Sequence, residues 1–183
     1  MLKKITFALF LLGWSVVGIA QENECFFKNS VRIGYGFDNN SLFHSDVYRP
    51  KSIITLDADF LRLSDCISFG ANAVVGVADN NSSGSFSPMI HYGLNLQCHL
   101  LQAAGIGSSL WDLSLKGCIG SFISSDLPSE TEYGVGFSAT IYPFCHWGLF
   151  AECDWGRFCD GFFCQNSLGT YSTRTQIGIS YRF

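Results

Sequence analysis

The sequence predicts an all-β fold, an eight-stranded antiparallel up-and-down transmembrane β-barrel. Three observations carry that reading. Eight stretches alternate apolar and polar residues with a period of two, the signature of a strand with two different faces. The links between them alternate between long polar segments and short ones. The stretch Tyr171 to Phe183 puts Ile177, Ile179, Tyr181 and Phe183 on one face and Arg174, Gln176, Ser180 and Arg182 on the other. It has the roughly 9–11 residues that a tilted strand needs to cross a bilayer.

Before the first strand, Lys3 and Lys4 precede the apolar run Ile5 to Val17 and the small residues Gly18-Ile19-Ala20. That is the order of a cleaved export signal, so residues 1–20 are expected to be removed and residues 21–183 to form a single domain. The residues before Cys25 are not those of a lipoprotein signal, so no lipid anchor is expected there. The whole chain carries a net charge of −4, and loss of the two leader lysines makes it more acidic. This excludes a nucleic-acid partner, which selects a basic face. With 19 Gly, 17 Phe and 14% charged residues, the composition suits a barrel that is apolar outside and small or polar within. No stretch after residue 20 holds the roughly 18 apolar residues of a membrane helix. A membrane-spanning chain of this kind must satisfy its backbone in a closed sheet.

The first strand, Phe27 to Phe37, opposes Val31, Ile33 and Tyr35 to Arg32, Gly34 and Gly36, and the polar loop Asp38 to Lys51 follows. The second, Ser52 to Leu63, sets Ile54, Leu56 and Phe60 against Thr55, Asp57 and Asp59. Only Ser64-Asp65 separates it from the third, Cys66 to Ala78, which predicts a tight hairpin. After the Asn- and Ser-rich loop Asp79 to Ser87 comes the fourth strand, Met89 to His99, and a link through Gln102 to Ser108. The fifth, Ser109 to Phe122, carries Asp112, Ser114 and Lys116 on its polar side, and Pro128 falls in the loop after it. The sixth, Glu132 to Pro143, turns at Phe144-Cys145 into the seventh, His146 to Trp155, whose Phe150 interrupts the polar face. Gly156 to Thr170 is the longest loop and precedes the eighth strand.

Eight strands with links of alternating length, and Tyr181-Arg182-Phe183 closing the last, resemble the small eight-stranded bacterial outer-membrane barrels of the outer-membrane protein A and X type. The resemblance covers residues 26–183 and rests on pattern rather than on an internal motif. It implies a Gram-negative outer membrane, short periplasmic turns, longer external loops, and outer-membrane lipids and the assembly machinery as partners. It also implies that Tyr181 and Phe183 serve as the C-terminal assembly signal.

An eight-stranded barrel leaves an interior just wide enough for side chains to fill. Arg32, Asp57, Lys116, Glu152 and Arg174 are therefore expected to plug a narrow lumen as charge pairs. A loop centred between the first two strands brings Arg32 opposite Asp57, and the same argument brings Glu152 near Arg174. The role expected is structural or surface interaction through external loops, with a soluble lipocalin-like carrier of an apolar ligand as the alternative. A lipid-modifying enzyme is the third reading. No enzymatic activity is expected: His44-Ser45-Asp46 is consecutive in a loop, His146 has no serine at hydrogen-bonding spacing, and spacing identifies none for His91 or His99.

Eight cysteines are present. Cys159 and Cys164 are expected to form a disulfide in the longest loop, holding Phe158, Phe162 and Phe163 as a contact surface for an envelope or host-surface partner. Cys25, Cys66 and Cys145 map to the periplasmic rim, and Cys98 and Cys153 face outward. No CxxC pair occurs, so neither a zinc site nor a cofactor is expected.

Overall fold

Alternation in the sequence becomes a closed sheet because each strand has one face that tolerates water-free packing outside and one that carries the polar groups inward. The computed structural model describes residues 29–40, 48–80, 85–106, 108–124, 130–159 and 171–183. The export signal, the His44-Ser45-Asp46 segment and the loop bearing Phe162, Phe163 and Cys164 lie outside the described residues, as do the side chains of Phe158 and Cys159.

The strands are β1 (Ser30–Asn40), β2 (Tyr48–Ser64), β3 (Ile67–Asn80), β4 (Ser85–His99), β5 (Trp111–Ser124), β6 (Glu130–Ile141), β7 (Trp147–Cys159) and β8 (Tyr171–Arg182). They form a closed barrel in sequence order, every neighbour antiparallel, with β8 returning to β1. A single helical turn, α1 (Leu100–Ala103), begins the β4–β5 link. No helix among the described residues is long and apolar enough to cross a membrane.

Most boundaries shift by a few residues from the sequence reading, β4 beginning at Ser85 rather than Met89 and β1 ending at Asn40 rather than Phe37, and three shifts show why. The β2–β3 turn is Asp65-Cys66, with Ser64 paired to Ile67, one residue later than expected. β2 and β7 extend past their apolar stretches, to Tyr48 and to Cys159, because ladder hydrogen bonds continue where alternation has ended. β2 also carries a bulge between Asp59 and Leu61. The bulge puts two consecutive residues, Phe60 and Leu61, on the outer face and shifts the phase. Half-buried Arg62 therefore borders the short-link mouth, its guanidinium donating to the Ser64 and Asp65 carbonyls.

The two faces are opposite in character. Outward, Ile33, Ile54, Leu56, Val75, Leu94, Leu115, Val135, Leu149, Ile177 and Ile179 are exposed as a continuous belt. Aromatics border it at both ends. Trp111, Trp147, Tyr181 and Phe183 sit at the short-link end, and Tyr35, Phe37, Tyr92, Trp155 and Tyr171 toward the long-link end. Trp147 packs edge-on against Tyr181 at 4.8 Å, and Tyr181 stacks on Phe183 at 6.4 Å.

Candidate functional site: the lumen and its short-link mouth

Inward-facing residues of each strand meet in three regions along the barrel. Toward the long-link end Ile53 and Met89, both 1% exposed, lie on one line of register through Gly76. Their side chains both reach the space over Gly76, where a Cβ would fall 2.9 Å from Ile53 and 3.0 Å from Met89.

The middle is charged and filled. Arg32 lies in register with Asp57, but its ion pair is with Glu152, Nη1 to Oε2 at 3.1 Å, and the same nitrogen donates to Ser138 Oγ at 3.2 Å. Lys116 Nζ contacts Glu152 Oε1, with Asp154 at 3.4 Å and Asp57 at 3.6 Å. Gln176 donates from Nε2 to Glu152 Oε1 at 2.8 Å, and Thr55 Oγ1 donates to Gln176 Oε1. Phe150, the apolar residue on the polar face, is 3% exposed and lies 5.6 Å under the Arg32 guanidinium. It fits because Gly34 and Gly178 leave room, a Cβ at Gly178 falling 2.7 Å from its ring.

The expected proximity of Glu152 and Arg174 is corrected by the register. Glu152 faces Gln176, and Arg174 faces Asp154 across β7–β8 and Asp38 across β1–β8. The β7–β8 connection is offset from the symmetric one, so β8 lies two residues away from the assumed pairing. Arg174 instead binds Glu132 with Nη2 at 2.6 Å from both carboxylate oxygens. Its Nη1 donates to His91 Nδ1 at 3.3 Å, and His91 Nε2 lies 2.6 Å from Glu132 Oε2. An arginine only donates and a carboxylate only accepts. The imidazole therefore accepts at Nδ1 and carries its proton on Nε2. Ser172 donates to Asp38 at 2.9 Å at the long-link side of this cluster.

From the middle a chain of polar groups runs to the short-link end. Asn95 donates to Asp57 at 3.3 Å, Gln97 to Asp59 at 2.8 Å, Ser30 to Asp59 at 2.9 Å and Ser114 to Gln97 at 3.3 Å. It ends on a cavity of about 30 Å³ bordered by Asp59, Arg62, Ser68, His99, Asp112, Tyr142 and Arg182.

Here the fold supplies His99 with the serine that spacing could not identify. Ser68 Oγ lies 3.1 Å from His99 Nε2, and His99 Nδ1 lies 2.9 and 3.0 Å from the two oxygens of Asp112. The three residues sit on β3, β4 and β5. Ser68 pairs with Gln97, two residues before His99, and His99 pairs with Ser114, two residues after Asp112. Each contact is thus a same-face diagonal, which long side chains bridge. Sequence spacing hid the group because its members are 31 and 13 positions apart, and only the ladder register reveals it.

Arg182 fixes the other side of the mouth. Its Nε donates to the Cys145 carbonyl at 2.5 Å, its Nη2 to the Ser109 carbonyl at 2.7 Å, and its guanidinium lies 3.9 Å over the Tyr142 ring. Burial pushes the Tyr142 phenol above its ordinary pKa, opposed by its 2.9 Å hydrogen bond with Ser180. Phe183 donates its backbone N–H to Asn29 at 3.0 Å, which ties the barrel seam.

Of the cysteines with described side chains, Cys66, Cys98, Cys118 and Cys153 are free, and Cys145 is disulfide-bonded. The Cys159–Cys164 expectation falls outside the described side chains.

No protein-family model matches the chain, and no curated protein matches it. Solved structures do. Neisserial surface protein A superposes with a TM-score of 0.60 at 10% identity, over 85% of this chain and 97% of that one. The N-terminal β-barrel domain of Pseudomonas aeruginosa OprF superposes with a TM-score of 0.51 at 13% identity, over 85% and 98%. With its eight strands closed in sequence order, the chain has the fold of the small eight-stranded outer-membrane β-barrels.

Proposed function

We propose that this protein is an integral outer-membrane barrel that serves as a membrane-anchored platform rather than a conduit. The observation that carries the reading is the inversion of its two faces. Among the described residues 23 polar or charged side chains are buried and only five hydrophobic ones, while the isoleucines, leucines and valines of the belt point outward. In water such a belt is an aggregation liability; in a bilayer it is the required surface. The lipocalin-like alternative needs the reverse, an apolar interior that receives the ligand.

A lumen crossed by Arg32, Lys116, Glu152 and Arg174, with Ile53 and Met89 beyond them, supports a plugged interior. The role then falls to the two ends of the barrel, since a rigid scaffold commonly carries its activity on its loops. The contact surface read at Phe158, Phe162 and Phe163 belongs to this proposal, as does the export signal in residues 1–20.

Carbonate and high-salt washing of the membrane fraction tests the anchoring. The protein is expected in the pellet, and its release into the supernatant overturns the assignment. Planar-bilayer recordings test the plug, with no steady conductance expected. Large, stable open steps would contradict it.

A further inference from the structure

We propose that Ser68, His99 and Asp112 form a nucleophilic site at the short-link mouth, one that cleaves esters of short acyl groups. Hydrogen-bond direction carries the argument. An ionised Asp112 carboxylate only accepts, so the proton between it and His99 resides on Nδ1. In the neutral ring Nε2 is then the acceptor, and the Ser68 hydroxyl at 3.1 Å is its donor. This is the order in which a base takes a proton from a hydroxyl nucleophile while a carboxylate holds the base in the correct tautomer.

The surroundings separate this group from the other histidine of the lumen. His91 is locked between Arg174 and Glu132 at 3% exposure, with Nδ1 accepting from an arginine and Nε2 turned to a carboxylate. His99 keeps its base nitrogen toward a serine that borders an open cavity. Arg62 and Arg182 border the same cavity, Arg62 held by the Ser64 and Asp65 carbonyls and Arg182 by those of Cys145 and Ser109. Two fixed positive charges thus lie beside the reacting serine, where they favour a developing oxyanion through the field rather than by direct donation. At about 30 Å³ the cavity accommodates one or two waters. The acyl part must therefore be no larger than acetyl, with the alcohol part left at the mouth.

The Ser68 oxygen attacks the acyl carbon as its proton passes to His99 Nε2. Collapse of the tetrahedral adduct breaks the bond to the alcohol oxygen, which leaves with that proton. Water then gives a proton to His99 and attacks the acyl-serine. The acid departs and Ser68 recovers its hydrogen. Ester and water become acid and alcohol, with no oxidation. Ser68 and His99 are the catalytic residues and Asp112 a positioning residue.

The folded full-length protein in detergent, with p-nitrophenyl acetate as probe, tests this. A nitrophenolate burst is expected, together with an acetyl adduct on Ser68 in peptides from an acid-quenched sample. Ser68→Ala and His99→Ala should abolish both. Asp112→Asn should lower kcat by on the order of 10³–10⁴-fold, or to the uncatalysed background, while KM holds. Ser68→Cys supplies a readout that a structural hydrogen bond does not move. The introduced thiol should react with iodoacetamide at neutral pH far faster than Cys66 in the same chain, because His99 favours its thiolate. Native protein that shows no adduct on Ser68 and no rate above Ser68→Ala overturns the proposal. So does an introduced thiol no faster than Cys66.

Discussion

The middle of the lumen and its short-link mouth are built from the same kinds of residue, yet they are organised on different terms. In the middle, Glu152 receives Arg32, Lys116 and Gln176 at once, and its side chain has no exposure. At the mouth, Ser68, His99 and Asp112 form a linear chain beside a cavity, with 12% and 18% exposure at the His99 and Asp112 side chains. A carboxylate shared by two cations in a fully buried position cannot be removed without stranding both. A carboxylate at a wetted rim can be replaced by water. The first arrangement fixes the barrel; the second leaves a group with capacity to react.

Glu152→Ala should therefore produce the largest effect. It leaves Arg32 and Lys116 buried without their partner, a loss of about 3–5 kcal/mol for a broken buried pair. Denaturant titration of the heat-modifiable folded band measures it, and a cost under 1 kcal/mol would erase the distinction between the regions. Ile177→Arg addresses the outer wall at the same depth. Ile177 is 67% exposed on the belt, and arginine near the bilayer midplane costs about 2–4 kcal/mol. The same titration in lipid vesicles should show this loss.

The contrast is legible in the sequence only in part. Alternation displays two environments per strand, so the eight strands, their order and the inward set Arg32, Asp57, Lys116, Glu152 and Arg174 can be read directly. Register is another matter, since it depends on how each link closes. Arg32 opposite Asp57 followed from a centred loop, whereas β8 lies two residues from the assumed pairing and gives Arg174 to Glu132. The mouth was harder still. Ser68, His99 and Asp112 come together through diagonals on three strands, and Arg62 arrives through a bulge that an alternation count passes over as an ordinary step.

Deleting Phe183 should have a smaller effect. It removes one backbone hydrogen bond to Asn29 and one aromatic stack on Tyr181, each worth about 0.5–1.5 kcal/mol. A reduced folded yield on refolding into vesicles is expected, and an unchanged yield would leave the seam dependent on the ladder alone. The smallest change belongs to the mouth itself. Asp112→Ala should cost about 1 kcal/mol or less, because its partner remains hydrated. A loss as large as that of Glu152→Ala would show the mouth to be another sealed part of the lumen.

The pairing of β1 with β8 also has a temporal consequence. All eleven residues of β1, Ser30 to Asn40, would wait unpaired on one side if β8 were late, since the ladder from Ser30↔Arg182 to Asn40↔Ser172 has no substitute within the sheet. Closure is the most non-local event in the chain, and contacts of that kind form slowly. Until it happens the nascent sheet has two open edges, each a template for a foreign strand. Assembly of this protein is therefore a race between its own seam and intermolecular pairing, and dilution or an escorting chaperone should favour the seam.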